Sequence, residues 1–139
     1  MPVTYSIDEA GKLIRTVCSS PITLADVIDH FRELRDDQAC PQYLDVLLNV
    51  TAVDGAPDSR ELSAVSQELW TVNKKIKFGV CAIVADRDAM FGMMRMFEVF
   101  AQRYFVAIRV FRDTDEAEVW LVSERQKRDA EGKSGSPEI

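Results

Sequence analysis

The side chains best suited to chemistry are few and lie far apart in the sequence. His30 is the single histidine, and the three cysteines, Cys18, Cys40 and Cys81, form no Cys-x-x-Cys pair. A general base needs an orienting partner and a nucleophile beside it, and the sequence places neither next to His30. Zinc ligands recur at short spacings that are missing here. The pattern therefore predicts no catalytic residue and no metal site.

Three carboxylates bracket the third predicted strand and the loop after it: Asp45, Asp54 and Asp58. Ligands of α/β sheets bind beyond the carboxyl ends of the strands, so this loop is a candidate site. For Asp54 and Asp58, structural roles are favoured over ligand binding, because Asp58 can cap the next helix and Asp54-Gly55 is typical of a turn. An enzymatic alternative would use four polar residues: His30, Asp45, Asp54 and Arg87.

The third predicted helix carries an unusually wide apolar face of about 160°. Its members are Met90, Met93, Met94, Met96, Phe97, Phe100, Ala101 and Tyr104, and Phe91 and Val99 lie outside even this face. Three interpretations stay open. The helix is well buried, it lines a pocket for an apolar ligand beside Met90, Met94 and Phe97, or it is a self-association surface. Trp70, off the main stripe of its own helix, is a further member of such a patch.

The charge balance excludes several classes of partner. The chain of 139 residues has a net charge of −6, and its basic residues are scattered among acids. Such a chain has no electrostatic reason to bind nucleic acid or anionic membranes. We also expect no membrane span, no secretory signal and, since Gly55 and Gly79 build no phosphate-binding motif, no nucleotide cofactor. The dispersed cysteines favour a reducing, cytoplasmic location.

Hydrophobic periodicity predicts an alternation of strands and helices. An opening hairpin at 3–18 precedes three amphipathic helices, which begin near Thr23, Asp58 and Asp86 and alternate with strands. Capping-box patterns mark the first two of these starts, Thr23 with Asp26 and Asp58 with Glu61. The strand at 78–85 is apolar at both alternations, as is typical of a central, doubly covered strand. A short last helix ends at Leu121, and the charged segment after it is expected to be disordered. The prediction is one α/β domain at 1–122, with a mixed, mostly parallel sheet of about five strands, an N-terminal hairpin and about four helices, followed by a disordered tail at 123–139.

In this order of elements the chain resembles the SpoIIAA-like branch of the STAS superfamily. The matching segments are the hairpin, Pro-Ile-Thr-Leu-Ala-Asp at 21–26, the strands at 43–50 and 78–84, and Glu-Ala-Glu-Val-Trp-Leu at 116–121. The resemblance implies a non-enzymatic binding or regulatory module. It also implies a phosphorylatable serine at the start of the second helix, where Ser59 is roughly in register. The same fold type is similar to SEC14-like lipid carriers.

These observations give two expectations about function. The first is a cytoplasmic, non-enzymatic STAS-type module that acts through protein contacts, as a homodimer that uses the third helix. The alternative is a protein that binds a small apolar, lipid-like ligand against that helix. The candidate ligand or interface residues are Trp70, Met90, Phe91, Met93, Met94 and Phe97, with Ser59 as a possible phosphorylation site and with no cofactor expected.

Overall fold

The structure, a computed structural model, describes residues 2–135. Within this range the chain forms five strands, four α-helices and one 3-10 turn at Gln102–Tyr104. The strands are β1 (Val3–Asp8), β2 (Leu13–Ser19), β3 (Tyr43–Ala52), β4 (Lys77–Val84) and β5 (Ala107–Phe111). The α-helices are α1 (Leu24–Asp36), α2 (Ser59–Val72), α3 (Asp88–Ala101) and α4 (Thr114–Gly135). The predicted α/β class, its N-terminal hairpin and its element order are confirmed.

The described strands form one mixed sheet in the order β1-β2-β3-β4-β5. β1 pairs with β2 in antiparallel fashion, and every later pair is parallel. β4 is apolar at almost every position, and it lies between β3 and β5 with both of its faces covered. A parallel strand in such a place is buried on both sides, which explains its continuous apolar run.

The two faces of the sheet are covered by different helices. Right-handed crossovers that step across the sheet in one direction place α1, α2 and α3 on the same side. Leu44 and Val50 of β3 belong to the core on this side, which we call the three-helix face. Leu47 is an odd number of positions from Leu44 and from Val50, so its side chain points to the opposite side of the sheet. There it packs with Ala117 and Leu121 of α4, and we call this side the α4 face. The alternation along β3 therefore separates two cores.

Capping residues set the starts of the first two helices. The Thr23 side chain accepts the Asp26 N–H, and the Asp26 carboxylate accepts the Thr23 N–H in return. Asp58 and Glu61 form the same reciprocal pair at the start of α2. Both capping boxes satisfy backbone donors that the first helical turn leaves without partners. Both were predicted and are confirmed.

The C-terminal helix differs from its prediction. α4 runs to Gly135, through most of the segment 123–139 for which the sequence predicts a disordered tail. The stripe that faces the sheet begins with Ala117 and Leu121, and it continues one helical turn at a time with Arg125 and Arg128. Hydrophobic periodicity counts only apolar residues. It therefore does not detect the second half of this helix, where the residues that face the sheet are arginines. Residues 136–139 lie outside the described part of the chain.

Candidate functional site

An apolar cavity of about 270 Å³ lies on the three-helix face of the sheet. Its floor is formed by residues from two neighbouring parallel strands: Ile14, Thr16 and Cys18 of β2, and Val46, Leu48 and Val50 of β3. An engineered apolar cavity of roughly 150 Å³ binds benzene, so by proportion this cavity has room for about ten carbon atoms. The volume lies just below the range of about 300–1,000 Å³ that is usual for small-molecule sites.

The helices supply the walls of the cavity. Val27, Phe31 and Leu34 of α1 and Leu62, Val65 and Leu69 of α2 line two sides. These are the apolar stripes that the helical periodicity predicts, so the residues that specify the helices also enclose the space. Phe78 of β4 and Phe105, whose rings lie 5.2 Å apart between centroids, close another part of the lining.

α3 contributes three of the candidate residues to the lining. Met90, Met94 and Phe97 are buried along one side of the helix, and all three border the cavity. Methionine side chains are flexible and polarisable, and they adapt to apolar ligands of different shapes. The structure thus brings together the three residues that the ligand-binding interpretation of this helix names.

The other three candidate residues lie away from the cavity. Phe91 is half-buried, and the Arg112 guanidinium lies 4.3 Å from its ring centroid. Met93 is half-buried and is not part of the lining. Trp70 is 56% exposed on α2, with the Lys74 ammonium 3.9 Å from its ring centroid. These residues do not form one site with Met90, Met94 and Phe97.

The mouth of the cavity lies beside the carboxyl ends of β2 and β3. Thr23, at the start of α1, lines the cavity and is exposed, as are Asp54 and Ala56 in the loop after β3. Pro57 and Glu61, at the start of α2, complete this part of the lining. The carboxyl edge of a parallel sheet is the usual place for a ligand in this fold class.

The polar side chains inside the cavity are uncharged. His30 on α1 packs edge-on against the Tyr5 ring at a centroid distance of 5.1 Å. Burial lowers the pKa of His30 below its usual value, an effect that the nearby Glu33 partly opposes. The imidazole is therefore neutral at pH 7, and each form of the neutral ring has one donor and one acceptor nitrogen. Thr16, 5% exposed, adds a hydroxyl group.

Cys18 lines the cavity but is not set up as a nucleophile. Its thiol is buried, and burial raises its pKa to about 11. Thiolates, not thiols, react with electrophiles and bind metals, so Cys18 acts here as a small apolar residue. Across the described residues, no group of three or more His, Cys, Asp or Glu side chains is arranged to hold a metal ion.

A second polar centre lies on the α4 face. We call it the Asp45 cluster: Tyr43, Asp45, Arg125 and Arg128. Arg128 Nη1 donates to Asp45 Oδ1 and to Tyr43 Oη, both at 2.7 Å. Arg125 Nε lies 2.8 Å from Asp45 Oδ2, at an angle outside hydrogen-bond geometry, so charge attraction holds this pair. Asp45 itself is completely buried.

A β-bulge in β4 is built around the same carboxylate. Leu44 pairs with Phe78 and Val46 pairs with Cys81, so two residues of β4 lie opposite Asp45. A bulge leaves a backbone group outside the ladder. Asp45 Oδ1 accepts the Val80 N–H at 2.8 Å and so satisfies that group. Sequence reasoning singled out Asp45 but missed its arginine partners, because Arg125 and Arg128 lie eighty or more positions away, in the segment predicted to be disordered.

The four residues of the enzymatic alternative do not converge. His30 and Asp54 both line the cavity. Asp45 lies on the opposite face of the sheet, in contact with α4. Arg87 donates to the backbone carbonyls of Val53 and Gly55, in the loop that forms part of the mouth. Ser59 is exposed as the first residue of α2, directly after the Asp58 cap.

Comparisons with known proteins give little for this chain. No family model matches it, and no curated protein does. A probable enoyl-CoA hydratase from Mycobacterium thermoresistibile is among the similar solved structures, with a TM-score of 0.43 and 12% identity over 96% of this chain and 88% of that chain. A likeness of this strength carries no argument about what this chain does. Within the described residues, no helix is both long enough and apolar enough to cross a membrane.

Two predictions need correction in the light of these comparisons. The assignment to the SpoIIAA-like branch of the STAS superfamily is withdrawn, because neither a family model nor a curated protein that matches the chain supports it. The prediction that the chain is not an enzyme is not kept either, because no family model and no curated protein supports it. Phosphorylation of Ser59, which the STAS resemblance implied, stays a prediction.

Proposed function

We propose that this protein binds a small apolar molecule of about ten carbon atoms in the cavity of the three-helix face. The observation that carries the proposal is the cavity of about 270 Å³ itself, with its apolar floor and walls and its mouth at the carboxyl edge of the sheet. Pockets of this kind, with few polar groups among many apolar ones, are typical of small-molecule sites.

The energetic cost of an empty cavity supports the same proposal. An enclosed empty cavity in a protein core costs about 24 cal/mol for each Å³. For 270 Å³ this gives roughly 6 kcal/mol, which is an upper bound here because the cavity opens to solvent at its mouth. A domain of this length has a total free energy of unfolding of only about 5–15 kcal/mol. An occupant that fills the cavity would recover the lost dispersion contacts and the hydrophobic free energy.

Titration calorimetry with 1-decanol tests the proposal. We expect one site with a Kd in the micromolar range, equivalent to about 0.7 kcal/mol for each non-hydrogen atom of the ligand. Burial of the alkyl chain should give a negative heat-capacity change. Absence of binding to the parent protein would overturn the proposal.

A matched pair of variants locates the binding. Val46→Phe places an aromatic ring in the cavity floor and should abolish decanol binding. Val119→Phe makes the same change on α4, where Val119 is 71% exposed, and should leave the Kd unchanged. Decanol binding that survives Val46→Phe would place the ligand elsewhere on the protein.

Self-association through α3 is a second proposal. Met96 and Val99 are 38% and 64% exposed on the outward side of this helix, where a second copy of the chain could cover them. Such contacts would make the chain an interaction module. Val99→Asp should then lower the sedimentation coefficient, whereas a parent protein that sediments as a monomer at micromolar concentration would remove the proposal.

A cytoplasmic location also belongs to the proposal. Cys18, Cys40 and Cys81 are all free thiols. Free cysteines are the rule in reducing compartments, and paired ones are the rule in oxidising compartments. Trapping all three thiols as reduced groups in rapidly quenched cells would agree with this location.

A further inference from the structure

We infer that the ligand of this cavity carries an uncharged or positively charged polar end and is not a carboxylate, an inference that rests on the function proposed above. Among the described residues, the formally charged side chains of the lining are Asp54 and Glu61, and both are acidic. No lysine or arginine of that part of the chain lines the cavity. The site therefore lacks the cation that a buried or half-buried carboxylate requires.

The polar end of a bound chain would lie at the mouth. The floor and walls are apolar, and burial of a polar group among them without a partner is unfavourable. At the mouth, Asp54 is exposed and Glu61 is half-buried, so a head group there would meet both carboxylates while it stays in contact with water. Glu61 uses one oxygen to accept the Asp58 N–H at 3.1 Å and keeps the other.

Neighbouring charges strengthen the same preference. Besides Glu61, the two capping boxes contain two further acidic residues, Asp26 and Asp58, at the helix starts that border the mouth. The basic groups in this region include Arg87, which is already bonded to the carbonyls of Val53 and Gly55, and Arg60, which is exposed in the first turn of α2. Neither arginine lines the cavity, and the four carboxylates outnumber these two guanidinium groups.

The interior supplies no compensating positive charge. His30 is held neutral by its burial, so it can donate a hydrogen bond but does not attract an anion as an imidazolium would. A neutral hydroxyl or carbonyl on the ligand suits both His30 and the buried Thr16. Repulsion between unit charges a few ångströms apart near a protein surface weakens binding by about tenfold or more.

Three ten-carbon ligands with different head groups test the inference: 1-decanol, decylamine and decanoate. Calorimetry at pH 7.5 and physiological salt should give decanoate a Kd at least about tenfold weaker than that of 1-decanol. Decylamine should bind as tightly as 1-decanol or more tightly. Val46→Phe should abolish all three, which separates cavity binding from adsorption of an amine to an acidic surface.

Removal of one charge at the mouth should reduce this discrimination. Asp54→Asn keeps the backbone N–H that donates to Ser20 Oγ at 2.7 Å, so the loop should hold its conformation. In this variant the ratio of the decanoate Kd to the 1-decanol Kd should fall several-fold. Asp115→Asn makes the same charge change in the first turn of α4, and it should leave this ratio of Kd values unchanged.

The possible outcomes separate the inference from the proposed function. If decanoate binds as tightly as 1-decanol, and Val46→Phe abolishes both, the inference is overturned and the proposed function stands. If none of the three ligands binds the parent protein, both are overturned. If Asp54→Asn and Asp115→Asn lower the ratio of the decanoate Kd to the 1-decanol Kd equally, the net charge of the protein, and not the charge at the mouth, disfavours decanoate. The inference is then also overturned.

Discussion

At the scale of single residues, the buried Asp45 is the position where the smallest change should have the largest effect. Asp45→Asn removes the negative charge but keeps the shape, so Arg125 and Arg128 lose their partner beneath α4. Removal of one member of a buried ion pair typically costs about 3–5 kcal/mol. Urea denaturation should show a loss of that order in the free energy of unfolding.

An exposed ion pair to the same helix is the control. Arg15 and Glu118 lie 2.9 Å apart with side chains that are 49% and 38% exposed. Solvent-exposed pairs contribute about 0–1 kcal/mol, so Glu118→Gln should have a small effect. If Asp45→Asn cost no more than Glu118→Gln, the Asp45 cluster would not anchor α4.

Two glycines should respond in opposite ways to the same substitution. A Cβ atom at Gly79, in the bulge of β4, would clash with Tyr43 Oη and Asp45 Oδ1, whereas a Cβ atom at Gly92, on α3, meets nothing. Gly79→Ala should therefore lower the thermal midpoint. Gly92→Ala should raise the free energy of unfolding by up to about 1 kcal/mol, because alanine is the better helix former. Equal effects would show that the bulge has room for a side chain.

His30 should make stability depend on pH. Burial lowers its pKa in the folded state below the unfolded value of 6.5, with Glu33 acting against the shift. The unfolded chain then binds the proton more readily, so the stability contributed above pH 6.5 should be lost as the pH falls through the folded pKa. The urea midpoint should drop more between pH 7.5 and 5.5 in the parent than in His30→Gln. The same drop in both would assign the pH dependence to other groups.

At the scale of elements, the second half of α4 should be needed for stability. A chain that ends at Val122 loses both arginines and leaves Asp45 buried without a counter-ion, so it should be destabilised at least as much as Asp45→Asn. A chain that ends at Asp129 keeps both ion pairs and should unfold close to the parent. If residues 123–139 were a disordered tail, neither truncation would change the free energy of unfolding. Comparison of the two urea midpoints therefore distinguishes a disordered tail from a helix that is held by ion pairs.

The sequence predicts elements well where a local signal specifies them. Both capping boxes and the continuous apolar run of β4 depend on neighbours within a few positions, and all were predicted correctly. The end of α4 depends instead on Asp45, more than eighty positions away from Arg128. No local sequence pattern predicts the end of a helix that is held by long-range ion pairs.

At the scale of the whole molecule, the fold class follows from the order of elements but the cavity does not. The sequence indicates that α3 is unusually apolar, and the structure shows that its buried side borders an open space. A cavity arises from the difference between the volume of the side chains and the space between helices and sheet. Periodicity specifies which residues face inward, but it does not give that difference.

Methyl NMR of a protein labelled at its methionines tests ligand binding in the cavity most directly. Met90 and Met94 line the cavity, whereas Met93 and Met96, on the same helix, do not. On titration with 1-decanol, the account predicts shifts of the Met90 and Met94 signals that saturate together while Met93 and Met96 change little. Larger shifts at Met93 and Met96, or no shift at any of the four, would contradict it.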